Sequence, residues 1–266
     1  MRPMAEPAFF SREGLLVEIY DASLPKDIGD VPFYLDLAGR TGGPALELGC
    51  GTGRVVWPLA KAGLHVVGLD LSEPMLRRAE AKRPDHAEGV GARVRFEAGD
   101  MAHFDLPESF RFVFSACRAF QALLTPEDQR ACLQSVHRHL EPGGLLALNV
   151  FDPRLDWCVD GEVENTYSPD TVRHPETGHD VQIEITYRRN DAVRQVLFER
   201  WRLTERDPQG RTIRQTDAAL ELRWTYRYEM RYLLELCGFH VEAEYSDYRK
   251  SPPKYAADQI WVARRA

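Results

Sequence analysis

Between Pro44 and Ala60 the chain reads P-A-L-E-L-G-C-G-T-G-R-V-V-W-P-L-A, and no other stretch limits its folding choices as much. Ala45, Leu46 and Leu48 form a short apolar run, Gly49, Gly51 and Gly53 follow at every second position, and a helical pattern starts at Val55. That order predicts a buried strand, a glycine turn and a helix start. Glycines so spaced let the backbone bend sharply and put no side chain in the way, so amide N–H groups at the helix N-terminus can face a ligand.

The neighbouring residues narrow the ligand. A dinucleotide turn needs G-x-G-x-x-G, with its third glycine three positions after the second. Here Arg54 holds that place and the third glycine comes one residue early, at Gly53. Glu47, at the end of the strand, adds a carboxylate that repels a pyrophosphate and suits a cation. The run E-L-G-C-G-T-G resembles the first motif of the class I S-adenosylmethionine (SAM)-dependent methyltransferases, whose backbone glycines cradle the methionine part of SAM. That resemblance implies cofactor contacts at Glu47, Gly49, Cys50, Gly51, Thr52 and Gly53. Two other readings stay open. One is a dinucleotide-dependent oxidoreductase, which Arg54 and Glu47 disfavour; the other is a SAM-binding module with no catalytic activity.

Downstream, L-H-V-V-G-L-D-L reads as a second buried strand ending at Asp70. Asp70 lies about 20 residues past the first glycine, the separation at which doubly wound folds place an acid for ribose hydroxyls. Ser72 is the expected N-cap of the next helix, with Pro74 in its first turn and Met75, Leu76 and Ala79 on its apolar face. The segment G-L-D-L-S-E-P-M-L-R-R-A resembles the second motif of the same family, which implies contacts at Asp70, Leu71 and Met75. A third strand, V-R-F-E-A-G-D-M, ends where the family places an acid on the adenine amino group and packs the next residue on the ring. This implies Asp100 and Met101; Asp100 as an ordinary turn or cap residue is the competing reading.

The fourth strand runs through Phe112 to Ser115 into a loop at the carboxyl end of the sheet, where open α/β sheets bind ligands. Cys117, Arg118, Phe120 and Gln121 are therefore expected to line the cleft, Cys117 beside the cofactor and Arg118 and Phe120 beside the substrate. The loop lacks the N/D-P-P-Y/F/W motif of many nucleic-acid and glutamine N-methyltransferases. It also lacks the proline that precedes the nucleophilic cysteine of cytosine-C5 RNA enzymes, so a small buried thiol is expected at Cys117. A helix opened by Thr125 and Pro126 should stop at E-P-G-G (141–144), with L-L-A-L-N-V-F as the fifth strand. His137 and His139, two apart on that helix, face different ways and cannot share a metal; both are expected at the surface, and no metal site is expected.

Upstream, Leu15, Leu16, Ile19 and Tyr20, then Phe33, Tyr34 and Leu37, suggest two short helices. Tyr20 resembles the tyrosine of small-molecule methyltransferase lids that closes over SAM, and packing is its alternative role. From Asp152 the composition changes. V-Q-I-E-I-T-Y-R-R, V-R-Q-V-L-F-E-R-W-R-L-T and T-D-A-A-L-E-L-R-W-T-Y, joined at Asn190-Asp191 and Asp207-Pro208-Gln209-Gly210, carry antiparallel hairpin signals. A helix over Tyr228–Cys237 and two last strands then return to the core pattern.

The fold class expected is thus α/β, a Rossmann-like doubly wound sheet of seven mostly parallel strands with an inserted antiparallel β cap. Residues 1–151 are expected to form the SAM-binding core with its helical lid, 152–225 the cap and 226–266 the completion of the core. The layout is most similar to bacterial small-molecule enzymes, including deoxysugar N,N-dimethyltransferases. It implies SAM as cofactor and methyl transfer to N or O of a small molecule, with Trp157 and Tyr226 joining Arg118 and Phe120 as substrate residues. The cap could also pair two copies into a homodimer.

A net charge of −7 and a pI near 5.7 give no sign of a basic face for nucleic acid or anionic lipid. The five cysteines, Cys50, Cys117, Cys132, Cys158 and Cys237, show no C-x-x-C spacing, which points to reduced thiols. With no apolar leader in M-R-P-M-A-E-P-A-F-F and no run near the roughly 20 apolar residues of a span, a cytoplasmic protein free of membrane and nucleic-acid partners is expected. No catalytic residue is implied. A neutral amine needs none, and a hydroxyl needs a base, for which His174, His179 and His240 are candidates only by default.

Overall fold

The computed structural model describes residues 9, 13–25, 28–156, 158–159, 161–164 and 169–266. In chain order its elements are α1 (Leu15–Ser23), α2 (Asp30–Thr41), β1 (Ala45–Leu48), α3 (Val56–Lys61), β2 (Val66–Asp70), α4 (Glu73–Ala81), α5 (Glu88–Gly91), β3 (Val94–Ala98) and β4 (Phe110–Ser115). They continue with α6 (Pro126–His139), β5 (Leu140–Phe151), β6 (Gly161–Glu164), β7 (Asp170–Arg173), β8 (Asp180–Asp191), β9 (Val196–Arg206), β10 (Thr212–Arg223), α7 (Arg227–Leu236), β11 (Phe239–Tyr245) and β12 (Asp258–Arg265). Two compact units result, Met1–Lys26 with Leu155–Leu222, and Asp27–Arg154 with Arg223–Ala266.

The larger unit holds a seven-stranded sheet in the order β11-β12-β5-β4-β1-β2-β3. β1 pairs in parallel with β2 and β4, β2 with β3, and β4 with β5, while β12 runs antiparallel to both β5 and β11. β1 is central and buried along its whole length, as a strand covered on both faces must be. On one face Leu46, Leu48, Val113 and Leu146 pack against Leu133 and Val136 of α6 and Met230 and Leu234 of α7. On the other, Ala45, Phe112, Phe114 and Ala147 pack against Phe33 and Leu37 of α2 and Val56 and Leu59 of α3. Helices on both faces of a mostly parallel sheet make this the doubly wound architecture. The expected helix starts are present: Ser72 Oγ accepts from the Met75 amide at 3.3 Å and Thr125 Oγ1 from the Asp128 amide at 3.1 Å.

Two local expectations are corrected. The E-P-G-G segment does not separate α6 from the fifth strand; β5 already begins at Leu140, and its register against β4 shifts between Phe110 and Phe112 to take up the extra residues. His139 is not at the surface. It is buried, its Nε2 accepting the Leu106 amide at 2.9 Å and its Nδ1 lying 2.8 Å from the Ser135 carbonyl, so it ties the loop before β4 to α6.

In the smaller unit the sheet order is β10-β9-β8-β6, with β7 also on β8, and β6, β7 and β9 all run antiparallel to β8. α1, expected with the core, belongs to this unit. Its Leu15 and Ile19 pack on Val181 and Leu203, and Glu18 reaches His174 at 2.9 Å and Arg214 Nη1 at 3.0 Å. The Arg214 hydrogen bond, against the opposing effect of burial, holds the Glu18 carboxyl near 2 instead of 4.5. A depressed folded-state value means that the stabilisation Glu18 contributes to this docking is fully present above pH 4.5 and is lost as pH falls towards 2. Amide exchange over Leu15–Ser23, corrected for intrinsic rates, should therefore accelerate across that window in the parent, and an Arg214→Met variant, which keeps His174 beside Glu18, should show a weaker pH dependence.

Candidate functional site

The glycine turn sits at the carboxyl end of β1, between β2 and β4. The Leu69 carbonyl accepts the Gly49 amide at 2.8 Å and the Cys50 amide at 3.1 Å, folding the turn back over the end of β2. Gly49, Gly51 and Gly53 have φ of 69, 53 and 72°, the left-handed region that glycine reaches without strain. A Cβ on Gly49 would lie 2.5 Å from the Ala119 Cβ, so the loop after β4 closes directly onto the turn. Lys82 Nζ, from the end of α4, holds the Thr52 carbonyl at 2.9 Å. The backbone of the turn is thus fixed from both sides.

Asp70 is the other half of this arrangement. Its Oδ2 accepts the Gly51 amide at 2.7 Å and its Oδ1 the Ser72 amide at 2.8 Å, so one carboxylate joins the glycine turn to the start of α4. Burial raises its pKa, and the Ser72 and Gly51 amides oppose that. Each carboxylate oxygen has a second lone pair, which leaves capacity for a diol. Leu71, immediately after it, is 67% exposed, and Met75 is buried under α4.

Glu47 is only 2% exposed, with the Val56 amide donating to its carboxylate and Oε2 lacking a partner among the described residues. Burial pushes its pKa well up, and the nearby carboxylates of Asp30 and Asp70 add to the rise while Arg54 opposes it. An orphaned buried carboxylate oxygen is costly, and a cationic ligand would relieve it. Arg54 is engaged by Asp30 of α2 through both forks, Nη1 to Oδ1 at 2.9 Å and Nη2 to Oδ2, and its Nη2 also lies 3.0 Å from Cys117 Sγ. Burial raises the Cys117 thiol against the pull of Arg54.

The other expected site residues are placed as follows. Met101 lies near the turn, its Cε 3.4 Å from where a Gly49 Cβ would be, whereas Asp100 accepts the Ala102 amide at 2.8 Å as a turn residue does. The Cys50 thiol is buried 2.8 Å from the position of a Cβ on Gly68 and donates to the Gly51 carbonyl at 3.9 Å. Arg118 pairs with Asp258 at 2.7 Å and lies over the Phe151 ring, and Tyr226 sits half-exposed at the N-cap of α7. Tyr20 is carried by α1 in the smaller unit, and Trp157 lies outside the described residues.

Phe120 and Gln121 need correction as cleft residues. Phe120 is 1% exposed in the same apolar cluster as Leu46 and Leu48, because the single 3₁₀ turn at Ala119–Ala122 rotates it inward. Gln121 is fully buried as a bridge, donating to the Arg223 carbonyl at 3.1 Å and accepting the Phe151 amide at 2.9 Å. Sequence reasoning missed Asp30, whose only sign was an acid at a helix start, and Asn149, a lone polar residue in the apolar run of β5.

A doubly wound sheet, left-handed glycines at the end of its central strand, a carboxylate at the end of the next and a buried acid with an orphaned oxygen define a nucleoside-binding α/β fold that suits a positively charged ligand. Comparison with known proteins completes the assignment. The model of the family described as "Methyltransferase domain" matches residues 45–144. The cypemycin N-terminal methyltransferase of a Streptomyces species is 30% identical over 200 residues, covering 73% of this chain and 74% of that protein. The dTDP-3-amino-3,4,6-trideoxy-alpha-D-glucopyranose N,N-dimethyltransferase of Streptomyces venezuelae is 31% identical over 128 residues, 48% of each chain. Among solved structures, the CcbJ methyltransferase from Streptomyces caelestis superposes with a TM-score of 0.76 at 25% identity, over 97% of this chain and 98% of that one. The chain belongs to the SAM-dependent methyltransferases, and its cofactor is SAM. Among the described residues no helix is long and apolar enough to cross a membrane.

Proposed function

We propose that this chain transfers a methyl group from SAM to an amino nitrogen of a small-molecule acceptor. The observation that carries the choice of nitrogen is the loop after β4, Ser115 to Gln121, which contains no histidine and whose thiol is pushed up by burial. A hydroxyl acceptor needs a base at that point, whereas an amine needs only to arrive neutral. The relatives named for an N-terminal amine and for amino sugars support the same reading.

When bound, SAM supplies an activated methyl on a sulfonium, so the chain itself has to bind, orient and keep water out. We assign the amides of Gly49–Gly53 and the Glu47 carboxylate to the methionine end, Asp70 to the ribose, and Leu71, Asp100 and Met101 to the adenine. The orphaned Glu47 oxygen and the left-handed glycine backbone of the turn fit such a group. Arg118 and Tyr226 are the described candidates for acceptor contact. Orientation of two reactants can supply about 7–11 kcal/mol of a barrier without any acid or base.

The test is a panel of amines and matched alcohols, including dTDP-3-amino-3,4,6-trideoxyglucose and a short peptide with a free N-terminus, assayed for S-adenosylhomocysteine formation. Amines should be methylated, with kcat/KM rising with pH along the acceptor's own amine titration. Turnover of the alcohols alone would overturn the proposal.

A further inference from the structure

The chain leaves β4 through an improbable turn. Cys117 and Arg118 are consecutive non-glycine residues at φ of 51 and 62°, a left-handed pair that side-chain-bearing residues adopt only when their surroundings impose it. Directly after the pair, Ala119 is pressed against Gly49, so the shape of this turn fixes how closely the loop approaches the glycine backbone.

The turn's own backbone closes it, the Ala119 amide donating to the Ala116 carbonyl at 3.1 Å, and three side-chain contacts brace it. Tyr34 Oη donates to the Ser115 carbonyl at 3.3 Å, Arg54 Nη2 lies 3.0 Å from Cys117 Sγ, and the Arg118 amide donates to Asn149 Oδ1 at 3.0 Å. Of these side-chain contacts the last is the one made to the backbone of the left-handed pair, whose Arg118 carbonyl also accepts the Gln121 amide at 2.9 Å. Asn149 is 3% exposed, within β5 between Leu148 and Val150, and pairs across the sheet with Ile260. Its neighbours in the strand are apolar, so packing alone does not call for an amide there. A buried polar side chain that spends its oxygen on one strained amide has the geometry of a clamp.

We propose that Asn149 is a positioning residue for the cofactor site: by holding the Arg118 amide it keeps the Cys117–Arg118 turn left-handed and Ala119 seated on Gly49. This rests on the reading that the Gly49–Gly53 turn holds SAM. Without the clamp the pair relaxes towards ordinary φ values, the loop shifts and the cradle loosens.

Calorimetric titration with S-adenosylhomocysteine tests this without any acceptor. Release of one strained turn should weaken binding by Asn149→Leu about tenfold. Asn149→Asp, which keeps an acceptor oxygen, should bind more tightly than Asn149→Leu. Arg118→Gly placed in the Asn149→Leu background should also recover affinity, because glycine accepts the left-handed φ unaided. Parent-like binding by Asn149→Leu, or no gain from either rescue, would overturn the proposal. If Asn149→Leu fails to fold by circular dichroism, amide exchange in the parent decides: protection of the Arg118 amide at the level of the β4 and β5 amides supports the clamp, and exchange as fast as an open loop refutes it. A parent that does not bind S-adenosylhomocysteine refutes the cofactor assignment instead, which separates the two failures.

Discussion

Replacing Asp70 by alanine should cost SAM about a hundredfold or more in affinity, roughly 3 kcal/mol for a charge-assisted hydrogen-bond pair. The ribose is only part of the reason. The same carboxylate accepts the Gly51 amide at 2.7 Å and the Ser72 amide at 2.8 Å, so its loss also frees the middle of the glycine turn and the residue that caps α4. The thermal midpoint should therefore fall as well. Asp70→Asn separates the two contributions: an amide keeps one acceptor oxygen but turns a donor towards the second backbone N–H. It should retain more of the fold than of the binding. Titration of both variants with S-adenosylhomocysteine, beside their melting curves, checks this; unchanged affinity in Asp70→Ala would place the ribose elsewhere.

What was legible in the sequence follows the range of the interactions involved. The strand, glycine turn and helix at Pro44–Ala60, and Asp70 at the end of β2, announce themselves because each is set by periodicity and by residues near in sequence. β6 and β7 did not, because they bury almost nothing and so leave no alternation to read. The membership of α1 was hidden for a different reason. Its apolar stripe is visible, but the partners of Glu18 are His174 and Arg214, 156 and 196 residues away. Phe120 shows the limit of reasoning from position: a residue after a strand end was expected in the cleft, and a single 3₁₀ turn sends it into the core. Asn149 is not legible as a site residue because one polar residue in an apolar run states a need for a partner without saying which.

The second large effect is expected at Gly49. Gly49→Ala must hold alanine at φ 69°, which costs about 1–2 kcal/mol, and must place its Cβ 2.5 Å from that of Ala119, an overlap of the kind that costs about 1–3 kcal/mol more. Together these approach the lower end of a domain's whole stability of about 5–15 kcal/mol. The overlap is backed by backbone, since the Ala119 Cα lies 3.9 Å from the same point, so no side-chain rotation relieves it. Gly63→Ala is the control for backbone conformation alone, because its φ is 101° and no atom lies within 4 Å of its added Cβ. It should lose stability modestly and keep SAM affinity. A double-mutant cycle then isolates the contact. Ala119→Gly removes the overlapping Cβ, so Gly49→Ala with Ala119→Gly should recover more than half of the stability that Gly49→Ala loses, leaving mainly the backbone cost. Denaturant unfolding of the four species in the cycle gives the coupling directly. Additivity within about 0.5 kcal/mol, the value for independent sites, would mean that the loop after β4 does not rest on the glycine turn in solution.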